Sequence, residues 1–459
     1  MSAAARPNVL VLMSDQHNPM VSSPYGHSFV QTPALQGLAD RGVTFENAYC
    51  PSPLCVPSRS AFLTGLPVHA VGAWDNSCPL PVTEPTWAHR LNGAGYATTL
   101  CGRMSIGGPN QMHGFATRIH PEMRPGVIGS SFPNWEAPIR AHTGTRERLE
   151  SAGAGDTWQQ RYDESVTDAA VAYLSDPARR NGPWAAVVGW FLPHTPLTVR
   201  AEYFDMYYPD RADQPSAAAQ PIDTVHPQSR RFREYLGAEG LTDAQIGRAR
   251  AAYYGMVSFT DAQVGRVLAA LEASGAGDNT LVVYTSDHGE MIGEHGLWWK
   301  SSFYEPSVRV PLIAAWPGRI AGGSRVDTPV SLLDLTRTIV AAAGADADAD
   351  GTVGDDLLEP ELDEGRAVFA EFEAHATDRP GRMVRRGRYK LNYYHGEPPE
   401  LFDLLEDPNE VSNLASDSDH REVRDDLVGL VLKDWSPEEI DQRVRESQRR
   451  RRILFAGMP

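Results

Sequence analysis

The sequence predicts an α/β fold: a large mixed, mainly parallel sheet flanked by helices, with a smaller α+β subdomain towards the C-terminal end. Three observations predict it. Short continuous apolar runs recur along the chain, the pattern of strands buried on both faces. Helical stretches alternate with them, which calls for crossover connections and helices on both faces of a parallel sheet. After residue 356 the rhythm changes to strand, hairpin and helix.

The elements follow in order. "NVLVLM" (Asn8 to Met13) reads as the first buried strand. "TPALQGLADRG" reads as a helix, with Pro33 in its first turn and Gly42 just past its end. "VTFENAY" alternates and reads as one strand. "TEPTWAHRLNGAG" is a helix and "YATTLCG" the strand after it. A long helix runs from Thr157 to Leu174, then "PWAAVVGWF" is a buried strand. A second long helix begins at "DAQIG" and stops at Gly275, and "NTLVVYTS" is the next buried strand. After "SLLDLTRTIVAAAG", the acidic, glycine-bearing "ADADADGTVGDD" reads as a linker. It divides a main α/β domain, 1–355, from a C-terminal α+β subdomain, 356–459. There "AVFAEF" is a strand, "RMVRRGRYKLNYY" a hairpin turning near Gly387, and a helix starts at Glu422. "RRRR" (Arg449 to Arg452) reads as a solvated helix end or tail. The alternative is a subunit contact, which would make the protein a homo-oligomer.

Bulk properties exclude several classes. The chain has 459 residues, 41% hydrophobic and 22% charged, ordinary for a globular protein. The N-terminal apolar run of about six residues is too short for a secretory signal. No stretch approaches the roughly 20 apolar residues of a membrane span. A cytoplasmic protein without a membrane partner is expected, and its four cysteines are expected to be free thiols. A net charge of −17 repels phosphates, so nucleic acid is not the partner. A small anionic substrate would need a local basic pocket.

Ligands of open α/β sheets sit beyond the carboxyl ends of the strands. Asp15 and Gln16 follow the first strand, Arg103 and Ser105 follow "YATTLCG", His194 follows "PWAAVVGWF", and Asp287 and His288 follow "NTLVVYTS". Singly, each has a plain reading as a cap or a turn residue. Asp15, Gln16, Asp287 and His288 together offer two carboxylates, an amide oxygen and an imidazole. That oxygen-rich set suits one hard divalent cation, calcium first, with manganese or magnesium as alternatives. A zinc knuckle is disfavoured, because Cys50 and Cys55 lack a partner pair at finger spacing. Cys55 stands just before a helix that contains Pro57 and Arg59. A group there faces free backbone N–H groups, the positive dipole end and a fixed cation, an anion-binding arrangement. As a plain thiolate it would be nucleophilic, yet no general base stands beside it in sequence.

Cys55-Val56-Pro57-Ser58-Arg59, continued by Leu63-Thr64-Gly65, matches the signature C-x-P-S-R-x-x-x-L-T-G. With "NVLVLMSDQ", "GYATTLCGR", "PHTP", "TSDHGEMIGEHGLWWK" and "ELFDLLEDPNEVSNL" in order, the chain resembles the type I, formylglycine-dependent sulfatases of the alkaline phosphatase superfamily. "SPLCVPSRSAFLTG", "WDN" and "GPNQMHGF" look most like the choline-sulfatase branch. The resemblance implies an alkaline-phosphatase-like fold and hydrolysis of sulfate esters. It implies that a formylglycine-generating enzyme converts Cys55 to 3-oxoalanine, whose hydrate attacks sulfur in line and later expels sulfate through its second hydroxyl. Carried over residue by residue, the metal ligands would be Asp15, Gln16, residue 55, Asp287 and His288. Gln16 stands where many sulfatases have a second aspartate. Arg59 would orient the hydrate, Lys300 would contact the sulfate, His194 would protonate the leaving alcohol, and Asn76 would border the ester.

One departure matters. The family pattern G-K-x-H is here Gly102-Arg103-Met104-Ser105. Arg103 keeps the charge but spreads it over a planar fork. Ser105 cannot act as a cationic donor. Phosphonate monoester hydrolases, relatives with the same nucleophile, also lack that lysine and histidine, so hydrolysis of phosphonate monoesters or phosphodiesters is the alternative. A catalytically silent metal-binding scaffold with unmodified Cys55 is the alternative from another class. For the alcohol half of the substrate, Trp74, Trp298, Trp299 and Tyr304 could face a quaternary ammonium or simply pack. His113 and Glu371 to Asp378 are further candidates to line the pocket.

Overall fold

The computed structural model describes residues 6–108, 110–123, 144–345, 351–359 and 362–456. Part of the acidic linker, residues 346–350, lies outside the described residues. The main sheet has eight strands: β1 (Asn8–Ser14), β2 (Val43–Phe45), β3 (Ala97–Gly102), β4 (Thr117–His120), β5 (Trp184–Gly189), β6 (Thr280–Ser286), β7 (Leu312–Ala315) and β8 (Ser324–Val326). Their spatial order is β8-β2-β7-β6-β1-β5-β3-β4. β1 is central, buried on both faces, and parallel to both neighbours. Helices α1 (Pro33–Asp40), α2 (Cys55–Thr64), α3 (Trp87–Gly93), α4 (Trp158–Ser175), α6 (Asp243–Ala273) and α7 (Leu332–Ala342) pack around the sheet, and α5 (Pro227–Leu236) belongs to a separate apolar core. Apolar side chains of β1 alternate between two cores. Val9, Val11 and Met13 join one with Phe62, and Leu10 and Leu12 join the other with Val264. The fold is thus the mixed, mainly parallel α/β sheet that the apolar runs predict.

Register sets up the site. Ser14 pairs with Ser286, Met13 with Gly189, and Gly189 with Gly102. β1, β3, β5 and β6 therefore end at one level. Gly189 is required there, because a Cβ on it would lie 1.8 Å from the Arg103 carbonyl oxygen.

One strand expectation is corrected. "VTFENAY" is not one strand: it breaks after Phe45, and Ala48–Tyr49 pairs with Val330–Ser331 in a separate two-stranded sheet. β7 is an apolar run like its neighbours, yet it is antiparallel to both β6 and β2. Strand direction is set by the connections, which composition does not encode.

The C-terminal sheet is antiparallel, in the order β9 (Ala367–Phe372), β10 (Gly381–Arg386), β11 (Tyr389–Tyr394) and β12 (Glu400–Asp403). Helix α8 (Arg421–Leu432) packs on β10 and β11, and α9 (Pro437–Ala456) follows. The seam with the main body contains a buried charge. Lys390 of β11 lies 2.9 Å from Glu305 and 2.7 Å from Glu410, and Tyr49 donates to Glu305 at 3.1 Å. The arginine run is not a solvated tail throughout. Val444, Gln448 and Arg451 fall on one face of α9 and are buried, at helical spacing. Arg451 reaches Asp75 of the main body. Among the described residues no helix is long and apolar enough to cross a membrane. All four cysteines are free and buried.

Candidate active site

Asp15 and Gln16 leave the end of β1, and Asp287 and His288 leave the end of β6 beside it. Backbone hydrogen bonds lock this pair of turns. The Asp287 carboxylate oxygen Oδ1 accepts from the Gln16 N–H at 3.1 Å and the His288 N–H at 3.0 Å. Arg103 follows β3, its N–H donating to the Gly189 carbonyl at 2.8 Å. His194 follows β5 through a turn held by Asp163 of α4, which accepts from the N–H groups of Phe191 and Leu192 at 2.7 and 2.8 Å.

Cys55 is the first residue of α2, a helix whose ten residues are all buried. Its N-cap, Leu54, has no capping side chain. Asn76 supplies the missing acceptor: its Oδ1 takes the Val56 N–H at 3.0 Å. The same amide places Nδ2 3.9 Å from the Cys55 sulfur. That sulfur lies 3.1 Å from His288 Nε2 and 3.9 Å from Asp15 Oδ1. Burial and Asp15 push the Cys55 thiol up, but Lys300 and His288 outweigh them and leave it below the ordinary thiol value.

Two arginines hold the carboxylates. Arg59 is fully buried, with Nε 2.7 Å from Asp287 Oδ2 and Nη2 3.2 Å from Asp15 Oδ2. Its Nη1 donates to the Arg103 carbonyl at 3.1 Å. Arg103 Nε donates to Asp15 Oδ2, and its guanidinium lies over the Phe191 ring at 4.8 Å. Burial alone would raise the Asp15 carboxyl; Arg103, with Arg59 and His288, overcomes it and holds that group well below the usual carboxylate range. A buried carboxylate pair this close is stable only with such compensation.

The ligand atoms of Asp15, Cys55, Asp287 and His288 all lie within 4.8 Å of one another. Two buried carboxylates and an imidazole converging on one point fit a divalent metal ion. Lys300 stands at the edge of this group. Its Nζ donates to Gln16 Oε1 at 2.5 Å and to His194 Nε2 at 2.8 Å. The structure thus brings together Asp15, Gln16, Cys55, Arg59, Asn76, Arg103, His194, Asp287, His288 and Lys300.

The family profile described as Sulfatase matches residues 7–345, and that described as N-sulphoglucosamine sulphohydrolase, C-terminal, matches residues 293–434. The chain belongs to the sulfatase family. Choline-sulfatase of Rhizobium meliloti (strain 1021) is 34% identical over 475 residues, covering 99% of this chain and 91% of that protein. Arylsulfatase of Clostridium perfringens (strain 13 / Type A) is 26% identical over 465 residues, covering 94% of each chain. The crystal structure of phosphonate monoester hydrolase of Agrobacterium radiobacter has a TM-score of 0.77 at 27% identity, covering 93% of this chain and 95% of that one. The protein is therefore an enzyme, a sulfuric ester hydrolase, and its family implies a formylglycine and a divalent metal. The silent-scaffold alternative falls away.

The other residues singled out from the sequence of this sulfatase have contacts of their own. Ser105 has its N–H, like that of Met104, on Glu122 Oε2 at 2.8 Å, while its hydroxyl has no hydrogen-bond partner among the described residues. His113 stands beside His89, and among the described residues neither of its ring nitrogens has a hydrogen-bond partner. Glu371 accepts the His69 N–H at 2.8 Å and meets the His69 ring at 2.7 Å, tying β9 to the main body. Asp378 pairs with Arg379. Trp74 is buried beneath Arg443, at 5.0 Å. Trp298 and Tyr304 are buried in one apolar core, with Trp299 packed against it, and Tyr304 stacks on His295 at 4.0 Å. Sequence reasoning missed Glu290, Glu122, Asp163 and the Asp75–Arg451 pair. Glu290 had a signal, since it follows Asp287 by three positions in "SDHGE".

Proposed function

We propose that this sulfatase hydrolyses a small sulfate monoester at the Cys55 centre, with choline sulfate as the first substrate to test. The carrying observation is the buried convergence of Asp15, Cys55, Asp287 and His288 within 4.8 Å. The 34% identity to a choline-sulfatase across 99% of the chain supports the choice of ester. In this reading a formylglycine-generating enzyme converts Cys55, and residue 55 joins Asp15, Gln16, Asp287 and His288 around one ion. The oxygen-rich set favours calcium, ahead of manganese or magnesium. When bound, the ion would acidify the attacking hydroxyl of residue 55 and draw charge from the ester oxygens.

The chain's own side chains supply the rest. The N-terminus of α2 and the Asn76 amide face the anionic ester from below residue 55. Arg59 and Arg103 keep Asp15 ionised, and Arg59 also pairs with Asp287 at 2.7 Å. The Lys300 ammonium sits where it can meet a sulfate oxygen or the leaving oxygen. His194 sits behind it, within hydrogen-bond reach of the same proton. These cations form the basic pocket that a chain of net charge −17 needs for an anionic substrate.

One observation favours a second reading, hydrolysis of phosphonate monoesters or phosphodiesters. Arg103 and Ser105 occupy the places of the family's lysine and histidine, and a phosphonate monoester hydrolase shares the fold at 27% identity. Steady-state kcat/KM on choline sulfate, an aryl sulfate and an aryl phosphonate monoester separates the two. A sulfate preference is expected, and a large phosphonate preference would reverse the order. Intact mass of the peptide around Cys55 tests maturation: conversion to the aldehyde removes roughly 18 mass units.

A further inference from the structure

Glu290 is fully buried and belongs to none of the roles assigned above. Its carboxylate has three donors. Oε2 accepts from the Gln16 side-chain amide, and Oε1 accepts the N–H of Ile292 at 3.0 Å and of Trp299 at 2.6 Å. On its other side, Gln16 Oε1 accepts from Lys300 Nζ. The Gln16 amide is therefore clamped between a group that only accepts and a group that only donates. A flipped amide would set its NH2 against an ammonium and its oxygen against a carboxylate.

The backbones around this clamp are fixed as well. The Gln16 carbonyl accepts from the Tyr253 hydroxyl at 2.7 Å, and the Glu290 N–H donates to the Pro306 carbonyl at 2.7 Å. Gln16, Ile292 and Trp299 all have positive φ, at 70°, 39° and 68°. Side chains with a Cβ hold that region only when their surroundings enforce it. Glu290 grips all three: one by its side chain and two by their N–H groups. Trp299 immediately precedes Lys300.

We propose that Glu290 is a positioning residue of the metal centre: it locks the Gln16 amide with Oε1 turned towards Lys300 and the Asp15–Cys55–Asp287–His288 cluster. The inference rests on the reading of Gln16 as a ligand. It explains how this chain uses a neutral amide where an aspartate is usual. A carboxylate presents an acceptor either way round, whereas an amide must be told which end to present.

Removing the metal from mature enzyme with a chelator, then titrating with calcium or manganese chloride, tests this through thermal midpoint and bound-metal content. Removal of an outer partner of a metal ligand typically weakens metal binding about 10–100-fold. E290Q is expected to do so, because its own amide lets Gln16 turn over. In a Q16E background the orientation requirement is gone, and two carboxylates are in contact. There E290Q should leave metal binding unchanged or tighter. A mere loss of negative charge would weaken binding in both backgrounds, and that result would overturn the proposal. Q16A separates the two claims. If Q16A weakens metal binding and E290Q does not, only the role of Glu290 falls. If Q16A binds metal as the unaltered enzyme does, the ligand reading falls and this inference with it. Should E290Q alone fail to fold, Q16E against Q16E/E290Q still decides: weaker binding in the double variant sinks the proposal.

Discussion

Lys300 Nζ lies 2.8 Å from His194 Nε2, and Nδ1 of the same ring lies 2.8 Å from the Thr195 carbonyl oxygen. Lysine has donors only, so Nε2 accepts and Nδ1 carries the ring's proton. His194 is neutral in this arrangement. Burial first, then Lys300, hold its pKa well below the ordinary value. The proton at hand for a leaving oxygen is thus on Lys300, with His194 behind it. H194A should lower kcat/KM on an alkyl sulfate by about 10²–10⁴-fold and on nitrophenyl sulfate far less, because that phenolate leaves without a proton. K300A should impair both, and the double variant should be little worse than K300A. Effects that multiply would show that the two act independently.

Arg451 forks onto Asp75 through two hydrogen bonds of 2.7 Å, deep in the protein. Asp75 precedes Asn76, which completes the N-terminus of α2. Breaking one side of a buried pair costs about 3–5 kcal/mol, because the other charge is left unpaired. R451A is expected to lower the thermal midpoint and kcat together. R451M with D75N should be more stable than R451A, since neither charge remains. Equal midpoints would mean that the fork contributes little.

Ser105 offers a cleaner separation of stability from catalysis. Its hydroxyl is buried with no partner among the described residues, so S105A removes an unsatisfied group and should not lower the thermal midpoint. If the hydroxyl meets the ester, kcat/KM falls about tenfold, the worth of one hydrogen bond. An unchanged kcat/KM would place Ser105 outside the substrate contacts.

Asp261 of α6 predicts a pH dependence away from the metal. It is buried, and its carboxylate accepts the N–H groups of Ala34 and Leu35 at 3.0 and 2.8 Å, capping α1. Burial outweighs those bonds and raises its pKa from 3.8 to about 6. The folded state then keeps a proton that the unfolded state has lost. This group's contribution to stability falls as pH rises from about 4 to 6 and is level above that, by ~3 kcal/mol in all. D261N carries no such titration. The midpoint of D261N minus that of the unaltered enzyme should rise across this window and then flatten. Parallel pH profiles would contradict it.

Much of the site was legible because sheet edges concentrate chemistry. Asp15, Gln16, Asp287 and His288 each follow an apolar run, and a run that ends in polar residues marks the strand's carboxyl end. Cys55 was legible through its signature and its place before a helix. Lys300 came only from the resemblance; His194 was picked out by its place after an apolar run, but its role came from the resemblance, since nothing local distinguishes a turn histidine from a working one. Asp163 and Arg451 act on partners distant in sequence, and local patterns carry no trace of that; Glu290 stood inside a motif, but its reach to Gln16, 274 positions away, was equally hidden. The direction of β7 was hidden for the same reason. The arginine run misled because charge density suggests solvent, while the spacing of Val444, Gln448 and Arg451 turns one arginine inward.

The Asp75–Arg451 clamp spans 376 residues. On a ribosome adding 5–20 residues per second, roughly 20–75 seconds pass between making one half of it and the other. Throughout that interval the nascent strand carrying Asn76 lacks its tether. A motif translated early is consequently completed by a helical turn translated 376 residues after Asp75.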